Sequence, residues 1–112
     1  MFKQEHIVLL WLVFHDRPDE FRRLVAGLGP ERMAKAVEEW LGQLRDRERL
    51  VVSRWCGLYR ERYRAARIGR ELGVGAGQVY QIRDRALRKL RHPKIASTLQ
   101  KYMVREGTDA EH

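Results

Sequence analysis

Apolar residues recur at helical spacing along most of the chain. After Pro18, residues Phe21, Leu24, Val25 and Leu28 fall at i, i+3, i+4 and i+7, and the stretch closes at glycines 27 and 29. That spacing predicts an amphipathic helix with one buried stripe. After Pro30, a second stripe of the same kind holds Met33, Val37, Trp40, Leu41 and Leu44. Asp46 is placed to cap a third helix carrying Leu50, Val51, Val52 and Trp55, with Gly57 as its stop. Ile68 and Leu72 mark a short helix closed by Gly73, and Val79, Ile82, Ala86 and Leu90 mark a longer one that halts before Pro93. A last helix carries Ile95, Leu99 and Tyr102. Pro18, Pro30 and Pro93 each precede such a stretch, as a first-turn proline does. Only residues 7–14 (IVLLWLVF) are apolar on every side. Composition alone allows a buried strand there, and the helical neighbours favour a buried helix. No segment reads as a pair of strands. The expected fold is all-α: a small helical domain with an additional N-terminal helical module.

Composition narrows the class. A chain of 112 residues, 44% hydrophobic and 34% charged, holds one domain's worth of core under a heavily charged surface, which argues against disorder. The single cysteine, Cys56, excludes an internal disulfide and a zinc site built on a cysteine pair. The apolar run at 7–14 is too short to span a bilayer and leads into His15, Asp16, Arg17 and Pro18 without a small-residue cleavage signal. A cytoplasmic chain with no membrane partner is expected.

Charge then divides the chain. Lys and Arg number 23 against 15 Asp and Glu, a formal net charge of +8. Residues 1–43 are nearly balanced, with six basic and seven acidic side chains. Residues 44–105 hold seventeen basic and five acidic ones, and 106–112 add three acids. All of the positive excess lies in the second module, as in a nucleic-acid-binding unit joined to a near-neutral packing or partner-binding one. The expected organisation is therefore an N-terminal helical module over 1–43, a DNA-binding domain over 44–105 and a flexible tail over 106–112. An arginine-rich solvated surface is the plainer alternative.

The stretch 66–90 (ARIGRELGVGAGQVYQIRDRALRKL) explains what the charge is for. Two short helices meet across Gly73 at the spacing of a helix-turn-helix. Ile68, Leu72, Val74, Val79 and Ile82 are expected to share the core, with Gly69 small where the second helix approaches. The outer face of that second helix then carries Gly77, Gln78, Gln81, Asp84, Arg85 and Arg88, with Lys89 and Arg91 at its basic end. Glutamine pairs with adenine edges, and arginine with guanine or phosphate. The candidate DNA-binding residues on this helix are Gln78, Tyr80, Gln81, Asp84, Arg85, Arg88, Lys89 and Arg91. A plain helical hairpin with a charged face is the bland reading.

These residues also carry a family resemblance. The segment 44–93 resembles region 4 of the bacterial sigma-70 family: LRDRERLVVSRWCGL is similar to its first half, IGRELGV to its turn, and QIRDRALRKLRHP (81–93) is the closest stretch. The resemblance implies a domain that docks on the flap of RNA polymerase and reads the upstream (−35) promoter element. It also implies a backbone-contacting or activator-facing character for Arg47 and Arg70, which join the candidate DNA-binding residues, as it does for Arg85, Arg88 and Arg91. Several positions depart from it. Where the family opens its recognition helix with Thr/Ser-Arg-Glu-Arg, this chain has Gly75, Ala76, Gly77 and Gln78, so two base readers lack a polar side chain while the one at Gln81 is kept. The family's acid before the Ile-Gly pair is Arg67, and its Arg-aromatic pair before the glycine is Trp55-Cys56. Phosphate contacts position and base contacts specify, so DNA affinity with weak or altered selectivity is expected. Forty-three residues before the region 4 segment are too few for a promoter-melting domain, and a complete sigma factor is not expected.

Other signals point to no chemistry. The glycines at 73, 75 and 77 follow a helix rather than the strand that a phosphate-cradling loop needs. His6, His15, His92 and His112 have neither i, i+4 spacing nor a cysteine partner, so no metal or cofactor is expected. Glu38 and Glu39 fall on different helical faces, and no nucleophile–base set stands out, so the chain is not expected to be an enzyme. Residues 1–43 either extend one core or expose an apolar patch for a partner. Trp11, Trp40, Leu50 and Trp55 are the candidate partner-binding residues. The functional expectation is a stand-alone region 4-like regulator that binds double-stranded DNA, RNA polymerase core or a sigma factor. It either supplies part of a split sigma factor or occupies the site of the host's region 4. A self-contained homodimeric repressor and an anti-sigma interaction module that never touches DNA are the alternatives.

Overall fold

The computed structural model describes residues 4–58 and 61–103. Among these residues the chain is all-α, with six helices: α1 (Gln4–Phe14), α2 (Pro18–Leu41), α3 (Asp46–Cys56), α4 (Ala65–Leu72), α5 (Ala76–Arg91) and α6 (Pro93–Gln100). The apolar run at 7–14 is a helix, and it buries Leu9, Leu10, Val13 and Phe14. The tail at 106–112 lies outside the described residues.

Local chemistry sets the helix ends. The two stripes on either side of Gly29 form one element bent in place: Gly29 takes φ 68°, ψ 166°, and Pro30 opens the second half. A bend without a loop keeps both stripes on one side. At the start of α3 the structure corrects the expected cap. Arg45 is the N-cap and Asp46 the first helical residue, and the orphan Arg45 N–H donates to the Glu48 carboxylate at 3.1 Å. Asp46 instead accepts from Arg49 at 2.8 Å on the surface. Pro93 stops α5, and His92 serves as both its C-cap and the N-cap of α6, its ring accepting from the Lys94 N–H at 3.2 Å. Tyr102 falls beyond α6, where its hydroxyl donates to Glu39 on α2 at 2.7 Å.

Two clusters of buried side chains fill the interior, and α5 is a strut in both. Val79 and Ile82 pack with Val51, Tyr63, Ala65 and Ile68 in the smaller one. One and two turns on, Ala86 and Leu90 enter the larger one, built mainly by α1 and α2 with Val52, Cys56, Leu58 and Leu99. The N-terminal module thus shares a core with the C-terminal half of α5. Full burial of a leucine or isoleucine stabilises by about 2 kcal/mol, more than a surface ion pair at about 0–1 kcal/mol. The apolar row therefore decides which face of α5 turns outward.

Trp40 lies wholly inside this core and is not on a partner face. Its ring stacks on Phe14 with centroids 6.0 Å apart, and its indole N–H donates to the Leu90 carbonyl at 3.0 Å. A bulky aromatic on the inner stripe of α2 fills the space between α1 and α5, which is the physical reason it is unavailable to another molecule. Cys56 is buried too, and burial pushes its thiol up to about 12, so it acts as a small apolar packing group.

Candidate nucleic-acid interface

The unit α4–turn–α5 is held by its glycines. Gly73 takes φ 74°, which closes α4, and the Val74 N–H returns to the Gly69 carbonyl at 2.8 Å. A Cβ on Gly69 would run into the Val74 carbonyl oxygen, so the turn folds directly over α4 and only a glycine fits beneath it. The close approach expected at Gly69 is thus made by the turn. Gly75 then caps α5 without a side-chain hydrogen bond.

With Val79, Ile82, Ala86 and Leu90 turned inward, the other side of α5 is set. Gly77, Gln78, Tyr80, Gln81, Asp84, Arg85 and Arg88 are exposed, and Arg83, Leu87, Lys89 and Arg91 are partly covered. Gln81 and Arg88, seven residues apart, share the crest, while Gln78 and Arg85 share one flank. The first turn offers no polar side chain ahead of Gln78. Arg47 and Arg70 are exposed on α3 and α4.

The cations on this helix are not equivalent. Arg91 is paired with Asp16 in the α1–α2 connection. Lys89 donates to Glu48 at 2.9 Å, and Arg83 to its neighbour Asp84 at 2.7 Å. Burial works against ionisation of Glu48, yet the hydrogen bonds from Lys89 and the Arg45 N–H hold its carboxyl below the usual 4.5. Asp16 is also held low, by Arg91 acting against a desolvation cost. Asp16 and Glu48 therefore pull the basic end of α5 toward the body.

The flank of α5 that carries Arg85 opens into two clefts. One, of about 600 Å³, lies against the start of α3, where Arg45, Arg47, Arg85 and Lys89 outnumber Asp46 and Glu48. The other, of about 570 Å³, is lined by Arg85, Arg88, Lys89 and Lys94, with no acidic side chain among the described residues. Both suit a phosphate backbone running beside a helix inserted in a groove. Arg45 and Lys94 were not among the expected residues; their place in the clefts comes from the approach of α3 and α6 to α5, which helical periodicity does not encode.

The expected partner-binding residues lie in different settings. Trp11 is 46% exposed on α1, its ring edge-on to Phe21 at 5.2 Å. Leu50 and Trp55 are partly buried against the smaller cluster, and Trp40 is internal. Trp11 and Trp55 nonetheless line one open cleft, from which Leu50 and Trp40 are absent. No described helix is long and apolar enough to cross a membrane.

Residues 40–92 match the family model described as Sigma-70, region 4. The match begins at Trp40, ahead of the expected Leu44, and ends at His92 beside the expected Pro93. Neither the curated proteins nor the solved structures gave a match.

Proposed function

We propose that the chain is a stand-alone transcription regulator of the sigma-70 region 4 type, a DNA-binding helix-turn-helix, on the match of residues 40–92 to that family model. It inserts α5 into the major groove of promoter-like duplex and shares the work with a contact to RNA polymerase core or to a sigma factor. It acts by binding and not by catalysis, in the cytoplasm where promoters and polymerase meet. One observation carries this reading: Gln78, Gln81, Arg85 and Arg88 are exposed on a helix whose opposite row is buried, next to clefts rich in cations. The bare first turn at Gly75, Ala76 and Gly77 supports weak base discrimination, since positioning contacts are kept where specifying ones are lost.

A pull-down with RNA polymerase core, with and without its primary sigma factor, tests the protein half. Retention on core supports the proposal. Capture by sigma alone supports an anti-sigma module, and a dimer in solution that ignores both supports the repressor. A titration on random against promoter duplexes tests the DNA half: near-equal affinities are expected, and strong selectivity for an ordinary −35 element would count against the altered reader.

A further inference from the structure

The flank of α5 away from Arg85 has a different chemistry. Trp55 of α3 and Tyr80 of α5 meet edge to face, with ring centroids 5.7 Å apart. The Arg83 guanidinium lies over both, 4.7 Å from the Trp55 ring and 5.1 Å from that of Tyr80. An open cleft adjoins this stack on each side. One, of about 420 Å³, has Trp55 and Tyr80 as walls with Arg62 and Arg64, and no acidic side chain lines it among the described residues. The other, of about 410 Å³, runs from Trp55 and Arg83 to Trp11, and Asp84, its one acid among the described residues, is held by Arg83.

We propose that this aromatic–arginine flank binds unpaired nucleotides of single-stranded DNA, one cleft on either side of the Trp55–Arg83 stack. A duplex hides its base faces within its own stack, so rings on this flank gain nothing from it. An unpaired strand offers those faces together with phosphates for Arg62 and Arg64. Charge complementarity selects a polyanion. The interruption by Arg83 selects one with separate flat groups, because a protein helix or strand finds no continuous groove here. The inference builds on the duplex-binding reading for its position beside the groove-facing row, and its own chemistry is independent of it.

The test uses the whole chain with two probes, a short oligothymidine and a blunt duplex, read by anisotropy and by tryptophan emission. The oligothymidine is expected to bind at low salt and to quench emission. Trp55→Leu should weaken that binding about tenfold and remove much of the quench, with affinity for the blunt duplex unchanged. Arg64→Gln, an exposed change that leaves the fold intact, should lower the salt slope for the oligothymidine by about 0.7. The proposal is overturned if the oligothymidine fails to bind. Equal losses on both probes in Trp55→Leu overturn it too, as does an unchanged slope in Arg64→Gln. Equal quenching by polyglutamate would assign the flank to an acidic protein instead. Binding of the duplex alone ends this inference and spares the function proposed above; binding of the oligothymidine alone does the reverse.

Discussion

The indole N–H of Trp40 donates to the carbonyl of Leu90 at 3.0 Å, across fifty residues of sequence and inside the core. That carbonyl belongs to the last turn of α5 and has no partner within the helix. One bond thus satisfies a buried helix end and fixes α2 against the recognition helix. Trp40→Phe keeps an aromatic ring but leaves the carbonyl unpaired and a small void. The expected loss is about 2 kcal/mol, a drop of about 10 °C in Tm. Urea unfolding of the two proteins measures it, and a change within the error of the midpoint would show that the bond is not structural.

Asp16 pairs with Arg91, one of the expected DNA contacts. Asp16→Asn frees the guanidinium, and because Asp16 is exposed and Arg91 only partly covered the fold should lose little. Affinity for duplex at low salt should rise several-fold, and the slope of log K against log salt should steepen by about 0.9, one phosphate contact more. A salt titration by anisotropy decides; an unaltered slope means that Arg91 does not reach the backbone.

Glu48 makes stability fall in acid. Its carboxyl is held below the usual 4.5, so its contribution is complete above that value and is lost as pH falls through the lower folded value. Lys89 is more than a third exposed, so screening trims the ion pair, and the expected contribution is about 1 kcal/mol. Urea midpoints at neutral pH and below the usual carboxylate range should differ less in Glu48→Gln than in the parent. An equal acid loss in both would assign the effect elsewhere.

The turn of the helix-turn-helix has no room. Gly69→Ala drives a methyl into the Val74 carbonyl and should cost about 2–3 kcal/mol. Gly73→Ala meets open space and pays only for its left-handed backbone, about 1 kcal/mol. Thermal melts of the two variants should rank in that order, and the reverse ranking would mean that the turn relaxes away from α4.

Much of this fold was legible because its signals are local. Pro18 and Pro93 open helices, Gly57 and Gly73 close them, and the inner row of α5 is the one its period predicts. Asp46 misled because any Asp ahead of an apolar stripe resembles a cap, while the side chain that takes the orphan N–H is Glu48. Trp40 misled for a related reason. A single-faced stripe shows that a face is covered, and says nothing of whether another helix or another molecule covers it. Of the interface, the crest of α5 was readable and its surroundings were not. The partners of Lys89 and Arg91 lie 41 and 75 residues away, and the stack of Arg83 on Trp55 joins α5 to α3. Such pairs follow from tertiary packing alone.

The direct trial of an outward, groove-entering α5 is anisotropy of a labelled promoter-like duplex with the parent chain and with Arg85→Glu/Arg88→Glu. Both residues are exposed, so the variant should melt with the parent. The parent should bind at low salt with affinity that falls steeply as salt rises. The double reversal should lose most of that binding and flatten the salt slope by about 2. Equal affinity and equal slope in the two folded proteins would contradict the account.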